Sequence, residues 1–481
     1  METLKKKYGL FTAICMVVGI VIGSGIFFKA EDVLKEAGNG FISIIAWIIS
    51  GFIMVIIATT FAVMATKYEK VNGAVDYAEA MCGRRYAYYV GWFMSLIYYP
   101  AMTAVLAWVT SWYTLVVFGY VEAPLFYLND AGEIVYTLKS ALNSPECITL
   151  ALFYLILAYF VNTLAPRIAG KFQISSTVVK LVPIAFIAIV GTVVGLANGD
   201  LASNLTSSVL DSTQTEISGN PGLFPAICTT IFAYEGWIVA TSINSEIKNS
   251  KKNLPRALCI GTLIIVTAYT LYNLGILGLA NAGDVVNNGI SKVFETRFNV
   301  VGAAIINVLI VISCMGTLNG LMMGCTRGLY SLASRGEGVA PETISQVDKK
   351  TNMPHNSAIF SLMMCAGWFV YFILLGAGLF KYSPLGLTMS EYSFDSSELP
   401  IITLYAMYIP MLITMMIKEK ELNPFKRFVL PILSLCGIGV IIYACIDKHG
   451  SSIIWYLIVF AVIMLIGFGV DMYNRKKAKT A

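Results

Sequence analysis

The chain has 481 residues, of which 57% are hydrophobic and only 13% are charged, and its formal net charge is +5. Soluble globular proteins carry about 25% charged residues, so this composition indicates a membrane protein with many spans. Binding to nucleic acid requires a soluble basic patch, and the sequence shows none. We therefore predict an all-α polytopic membrane protein in a lipid bilayer, with no nucleic acid as a partner.

The cysteines and histidines argue against a metal centre. The ten cysteines are scattered, mostly within apolar runs, and form no CxxC pair. The two histidines, His355 and His449, both fall in predicted loops. We therefore expect no metal and no cofactor. The sequence also lacks a His, Cys–His or paired-carboxylate arrangement open to water, so we expect no enzyme activity.

Apolar runs of about the 20 residues that a helix needs to cross a bilayer follow one another along the chain. The third and eighth runs are longer than about 30 residues and must tilt or protrude. The pattern predicts about twelve transmembrane helices, near residues 10–28, 40–65, 87–119, 147–164, 172–196, 222–244, 255–280, 298–330, 356–379, 400–417, 428–446 and 452–471.

The distribution of Lys and Arg predicts the orientation, because cytoplasmic loops carry an excess of both. The loops opposite to the termini hold about seven basic residues, including Lys29, Lys139, Lys292 and Lys381. With cytoplasmic termini, the inner side holds Lys5–Lys7, Lys67, Lys70, Arg84, Arg85, Arg167, Lys171, Lys248, Lys251, Lys252, Arg256, Arg335, Lys349, Lys350, Lys418, Lys420, Lys426, Arg427 and Arg475–Lys479. The sequence therefore predicts a multi-pass protein of the cell (plasma) membrane with both termini in the cytoplasm.

The first span contains a helix-breaking sequence, "VVGIVIGSGIFFKAEDVL" at residues 17–34. Glycine costs about 1 kcal/mol relative to alanine inside a helix, yet Gly23 and Gly25 flank Ser24 in mid-span. A helix that begins at the break points its positive dipole end and the N–H groups of Ser24, Gly25 and Ile26 at a cavity, where they bind a carboxylate. Carbonyls freed near Ile22 accept hydrogen bonds from an ammonium.

The sixth span has a second break at Tyr234, Glu235 and Gly236, about 210 residues after the first. Breaks at matching positions of two five-span halves indicate a transporter binding site, since unwound backbone inside a membrane survives only where it lines a cavity. Carbonyls near Phe232 add further acceptors, so the two breaks together suit a zwitterion, an α-amino acid. The alternative is a packing motif in which small residues let helices touch.

Four segments carry a resemblance to a known family. "IGSGIF" at 22–27 resembles the first-span signature of the amino acid–polyamine–organocation (APC) superfamily. Three others are similar to the L-type amino acid transporter (LAT) family, of bacterial type: "FAYEGWIVATSINSEIKNSKKNLPRAL" at 232–258, "SCMGTLNGLMMGCTRGLYSLASRGEGVAP" at 313–341 and "ELNPFKRFVLP" at 421–431.

The resemblance implies a LeuT-like fold of two inverted five-span repeats, 1–200 and 201–420, followed by two extra helices in 421–481. It also implies alternating access and sodium-independent exchange of amino acids. By position, it assigns the carboxylate of the substrate to Ile22, Gly23, Ser24, Gly25 and Ile26. It assigns the ammonium and side chain to Phe232, which acts as a gating aromatic, and to Ala233, Tyr234, Glu235 and Gly236. It places Cys314 and Thr317 of the eighth span near the substrate.

Three positions depart from the family pattern. Ser250 stands where a proline is usual after the sixth span, and Ala30 where one is frequent after the first. Both are predicted loop positions and leave the site unchanged. Val63 replaces a frequent glutamate at the end of the second span, which predicts an altered cytoplasmic gate.

Lys180 lies in the predicted fifth span, where a central lysine costs about 2.5–3.5 kcal/mol and is functional by default. The resemblance places its ammonium near the first break, in space that sodium fills in other members of the fold. We expect contacts with carbonyls around Ile20 to Gly23 and with groups of the eighth span such as Ser313. The ammonium is then a fixed or titrating coupling group. The alternative is a lysine whose ammonium snorkels to the cytoplasmic surface.

Glu235 has two interpretations. It supports the broken segment or the gate, or it binds the side chain of a cationic substrate. The leading hypothesis is therefore an exchanger of small or mid-sized neutral L-amino acids. The alternatives are a proton-coupled symporter and a transporter of cationic amino acids or polyamines. We expect no accessory heavy subunit, because Cys147 is interpreted as a buried free thiol.

Overall fold

The computed structural model describes residues 8–68, 73–118, 123–128, 134–139, 144–209, 221–376 and 393–480. Lys5–Lys7, Lys70 and Lys381, which contribute to the predicted orientation, lie outside these ranges. Within the described ranges the protein is almost entirely helical.

In the described part of the chain, eleven helices are long and apolar enough to cross a membrane, and a bent helix pair near the amino terminus makes a twelfth. This confirms the predicted all-α polytopic fold with about twelve spans. In chain order the spans are 1a, Leu10–Val21; 1b, Ser24–Ala37; 2, Gly40–Lys67; 3, Arg84–Val117; 4, Pro145–Leu164; 5, Pro166–Asn198; 6a, Leu223–Tyr234; 6b, Trp237–Glu246; 7, Ser250–Leu279; 8, Ala282–Ala333; 9, His355–Leu374; 10, Leu399–Lys418; 11, Phe425–His449; and 12, Ser452–Thr480.

Short elements connect the spans. Three helices cover Gly73–Cys82, Asp200–Thr206 and Pro341–Ile344. Between spans 3 and 4, strand β1 (Ala123–Leu128) pairs antiparallel with strand β2 (Ile134–Lys139), with Ala123 opposite Lys139.

Spans 1 and 6 are broken where the sequence predicted. The two halves of span 1 meet at 44°, with Ile22 in an extended conformation between them. In span 6, Glu235 is extended at φ −82° and ψ 162°, and Gly236 has φ +108°. Only glycine adopts that region at little cost, so Gly236 is required by the backbone itself.

Two helix boundaries differ from the prediction. Span 1 does not end near residue 28 but continues to Ala37, where Gly38 at φ +77° terminates it with a left-handed cap. The helix of span 8 begins at Ala282, and non-helical backbone at Gly289 and Asn299 bends it. The predicted start near 298 therefore corresponds to the second bend.

Several residues assigned to loops lie in helices. Lys29, counted among the loop cations, belongs to span 1b and is only 5% exposed. His355 is the first residue of span 9 and His449 the last residue of span 11. Ala30, assigned to the loop after span 1, is a buried residue of span 1b.

The spans differ greatly in burial. The most apolar part of span 3 is wholly buried, whereas span 12 is almost entirely exposed at the periphery. Spans 5 and 7 contact each other through glycines. A Cβ atom at Gly195 would lie 2.5 Å from Cα of Gly278, so the two backbones touch, as in small-residue helix crossings of membrane proteins. This packing holds span 5, which carries Lys180, in a fixed position.

Candidate functional site

Both breaks face one cavity in the middle of the spans. Four spans line it, with Ile20, Val21, Gly23 and Gly25 from span 1, Tyr98, Met102 and Leu106 from span 3, Phe232, Glu235 and Gly236 from span 6, and Thr317 and Leu321 from span 8. The cavity offers about 20 Å³ to the centre of a water molecule, which is room for about one water. An amino acid therefore enters only when the spans separate.

The structure brings six of the predicted substrate-binding residues to this cavity, namely Gly23, Gly25, Phe232, Glu235, Gly236 and Thr317. Ile22, Ile26, Ala233, Tyr234 and Cys314 are buried but do not line it. The side chain of Ser24 lies outside the described part of the chain. Tyr234 points towards span 2, because its hydroxyl donates to the carbonyl of Trp47 at 2.8 Å.

Gly25 has a packing role in addition to its place at the cavity. A Cβ atom at this position would lie 2.6 Å from Cα of Ala233. Span 1b therefore contacts the backbone of span 6a directly, and Ala233 acts as its contact surface. Substitution at Gly25 would separate the two half-helices, so it does not by itself test carboxylate binding.

Tyr269 of span 7 connects the two breaks, a role that no sequence pattern indicates. Its hydroxyl donates to the carbonyls of Val21 at 3.0 Å and Ala233 at 3.1 Å. Its ring packs against Trp47 and Tyr234, with centroids 5.6 and 5.2 Å away. In the sequence, Tyr269 is one aromatic residue in an apolar run, and packing is the usual role of such residues.

Lys180 is 0% exposed, and its ammonium connects three spans. Nζ donates to the carbonyl of Gly19 at 2.5 Å and to Oγ1 of Thr317 at 3.0 Å. The contacts predicted were with Ile20 to Gly23 and Ser313. The actual partners lie one residue and one helical turn away, on the same two spans. The ammonium does not snorkel to the surface in this structure.

A chain of side-chain amides supports the same carbonyl. Asn162 of span 4 donates to Oδ1 of Asn319 at 2.9 Å, and Asn319 donates to Oε1 of Gln173 at 3.0 Å. Gln173 in turn donates to the carbonyl of Gly19 at 3.4 Å. These three amides lie within apolar runs, and polar residues inside membrane spans mark functional networks. They were not among the predicted site residues, although this signal is visible in the sequence.

Glu235 is 5% exposed and is surrounded by tyrosines. Its Oε1 accepts a hydrogen bond from the hydroxyl of Tyr98 at 2.7 Å. Tyr405 and Tyr408 of span 10 lie close enough to interact with the carboxyl group electrostatically. Among the described residues no Lys, Arg or His forms an ion pair with it.

A second pocket lies beside the first, towards the side of the termini. Ile20 lines both pockets. The other residues of the second pocket are Met16, Gln173, Val239, Gly320, Met323 and Gly324. Ile20 therefore lies between the central cavity and this second pocket.

Comparison with known proteins gives the family. Residues 8–468 match the amino acid permease family. The chain is 27% identical to the "Serine/threonine exchanger SteT" of Bacillus subtilis (strain 168) over 99% of this chain and 98% of that protein. It is 28% identical to the human "Large neutral amino acids transporter small subunit 2", over 80% of this chain and 69% of that protein.

A third similar protein is the human "Cystine/glutamate transporter", which is 26% identical over 73% of this chain and 65% of its own length. These relatives are amino acid transporters rather than enzymes. The chain thus belongs to the amino acid permease family and is a multi-pass membrane transporter of amino acids.

Proposed function

We propose that this protein is a sodium-independent exchanger of small or mid-sized neutral L-amino acids that works by alternating access. The observation that carries the proposal is the position of Lys180. Its ammonium bridges Gly19 of span 1a and Thr317 of span 8, in the space that the family resemblance gives to sodium in other members of the fold. A cation supplied by the protein makes a sodium ion from solution unnecessary.

The charges near the cavity support a neutral substrate. Glu235 is the only ionisable acid among the residues that line the cavity, and Lys180 lies directly behind Thr317. Because net charge inside the bilayer is costly, a zwitterion with a neutral side chain adds no net charge to the cavity, whereas a cationic side chain adds one and would need Glu235 as its partner.

The breaks supply the groups that a zwitterion needs. The substrate carboxylate binds the N–H groups at the start of span 1b, between Gly23 and Ile26. The ammonium binds carbonyls at the ends of spans 1a and 6a. The side chain extends towards Met102, Leu106 and Leu321, which form an apolar wall, and Phe232 covers it. This wall suits alkyl and small polar side chains.

The remaining predictions complete the proposal. Residues 1–200 and 201–420 form two inverted repeats, and 421–481 adds two helices. The protein resides in the cell membrane with both termini in the cytoplasm. Cys147 is buried and its thiol is free, which supports transport by this chain without an accessory subunit linked to it. Amino acid exchange agrees with the name of its bacterial relative, a serine/threonine exchanger.

One observation favours a second candidate, proton-coupled symport. Glu235 is buried without a cationic partner among the described residues. A buried carboxyl group of this kind is a candidate proton carrier, because neutralisation removes the cost of its charge. The same group would attract a cationic amino acid or polyamine, which keeps that alternative open to test.

Counterflow in proteoliposomes tests the proposal. Vesicles loaded with serine, threonine, alanine, valine or leucine should accumulate the labelled amino acid, and empty vesicles should not. An imposed sodium gradient should change neither rate nor extent. Sodium-driven accumulation would contradict the role of Lys180. Proton-driven accumulation into empty vesicles would replace exchange with symport, and competition by arginine or polyamines alone would replace the neutral substrate class.

A further inference from the structure

A second group of charged residues is buried away from the cavity, near the end of the spans opposite to the termini. We name it the Glu398 junction, and it comprises Lys29, Cys228, Glu398, Lys448 and His449. Glu398 directly precedes span 10 and is 0% exposed. The other members come from spans 1b, 6a and 11. The junction therefore connects both half-helices on this side of the breaks to the pair of spans 10 and 11.

The carboxylate of Glu398 is saturated with donors. Lys29 Nζ donates to Oε1 at 2.9 Å, and Lys448 Nζ lies 3.0 and 2.9 Å from Oε1 and Oε2. His449 Nε2 is 3.0 Å from Oε2, and the thiol of Cys228 donates to Oε2 at 3.5 Å. Burial alone would raise the pKa of Glu398, but Lys29 and Lys448 hold it well below its usual range.

Further groups fix the same arrangement. Asp395 accepts hydrogen bonds from the backbone N–H groups of Ser397 and Glu398 at 2.6 and 2.9 Å. Asp32 and Glu36 lie 3.6 and 3.9 Å from the ammonium groups of Lys29 and Lys448, respectively, and these carboxylates balance the second positive charge.

Cys228, Glu398 and His449 also offer S, O and N atoms within 4.8 Å of one another, a cluster that no spacing in the sequence indicates. Because both oxygens of Glu398 already accept from lysines, a metal ion would have to displace Lys448. The geometry therefore favours an ion-pair junction over a metal site.

The junction contacts the wall of the cavity. Lys29 Nζ lies 5.4 Å from the ring centroid of Phe28 and 5.5 Å from that of Phe232. Phe232 lines the cavity, and Cys228 is one helical turn before it on span 6a. Lys29 is likewise one turn after Gly25 on span 1b. Any movement that separates spans 1b and 6a from spans 10 and 11 must therefore break these ion pairs.

We propose that Glu398 is a positioning residue for transport, which holds spans 1b and 6a against spans 10 and 11 and so keeps the cavity closed on the side opposite to the termini. The proposal rests on the alternating access proposed above. It adds that one buried carboxylate sets how readily this side opens. Removal of the carboxylate takes from Lys29 and Lys448 the acceptor that they share and leaves them the more distant carboxylates of Asp32 and Glu36, and both ammonium groups regain solvation when the spans separate.

Labelling of Cys228 with a membrane-impermeant maleimide, followed by peptide mass spectrometry, measures the opening. The reagent is added to intact cells, which on our orientation expose this side. Two variants alter the local field in opposite directions. Loss of negative charge in Glu398→Gln favours the thiolate of Cys228, whereas loss of positive charge in Lys29→Met disfavours it. If the junction closes the cavity, both variants should label at least tenfold faster than wild type, and substrate should slow the labelling.

Glu295→Gln is the matched control, because it breaks an exposed ion pair with Lys292 near the same end of the spans, and its labelling should equal wild type. Unchanged labelling in both variants, or changes of opposite sign, would overturn the proposal. Glu398→Asp, which keeps the charge, should restore slow labelling and covers the case in which Glu398→Gln fails to fold. Because the labelling does not require transport, a wild-type protein that exchanges no amino acids would contradict the proposed function but not the role of Glu398.

Discussion

Two lysines are buried in the spans of this transporter, and they are held in different ways. Lys29 pairs with the carboxylate of Glu398, which also binds Lys448. Lys180 has no carboxylate partner among the described residues and contacts a carbonyl and a hydroxyl. An ion pair is strong while intact and costly to split. Neutral dipoles hold a charge more weakly but can be exchanged for one another. The ion pair of Lys29 suits a contact that keeps one side of the cavity closed. The weaker contacts of Lys180 suit a group that changes partners during transport.

The largest effect on stability should come from Glu398→Gln. Removal of one member of a buried ion pair costs about 3–5 kcal/mol, and here two ammonium groups lose the same partner. Thermal melting in detergent should show a large drop in the midpoint. Lys29→Met should cost less in the Glu398→Gln background than alone, since its partner is already neutral. Equal costs in both backgrounds would show that the two residues are not coupled.

Lys180→Met should have the larger effect on transport and the smaller effect on stability. The variant leaves the carbonyl of Gly19 and the hydroxyl of Thr317 with one partner fewer, which costs about 1–3 kcal/mol. This is enough to slow exchange by about tenfold or more by shifting the balance between the two open states. Exchange rates in proteoliposomes and melting of the same preparation measure both quantities.

Lys180→Arg is the conservative control, and it should retain part of the activity because the positive charge remains. If Lys180→Met exchanges amino acids as fast as wild type, Lys180 has no coupling role, and the contrast between the two lysines is one of structure only.

Thr317→Val should have the smallest effect of the three. It keeps the shape of the side chain and removes one of two partners of Lys180, at about 1 kcal/mol, or about fivefold in the exchange rate. Thr326→Val is the matched control on span 8, because the hydroxyl of Thr326 bonds within its own helix at Met322. A Thr317→Val variant as impaired as Lys180→Met would mean that the hydroxyl, rather than the ammonium, holds spans 1 and 8 together.

The sequence predicted the features whose cause is local. Gly23 to Gly25 and Glu235 to Gly236 interrupt apolar helices, and this pattern is visible in a window of a few residues. Lys180 was conspicuous for the same reason, a charge inside an apolar run. Only some of the residues predicted near the breaks line the cavity. The others do not, because the rotation of each helix directs side chains such as that of Tyr234 elsewhere, towards Trp47, and the motif does not indicate this rotation.

Long-range partners could not be predicted. Span 1 was expected to end near residue 28, and Lys29 was assigned to the loop that follows. The charge of Lys29 is tolerated inside because Glu398, 369 residues later, neutralises it. No pattern around either residue indicates the other. For the same reason His449 was assigned to a loop, although it closes a junction of four helices.

The hydroxyl of Tyr269 supplies fewer hydrogens than its two carbonyl partners can accept. It carries one hydrogen but faces two carbonyls, those of Val21 and Ala233, at nearly equal distances. The pair of breaks is therefore short of one donor. The deficit is shared by the two halves of the chain, and neither half has it alone. On the proposed function, a substrate ammonium supplies the missing donor at Val21, which lines the cavity, and the hydroxyl of Tyr269 stays with Ala233.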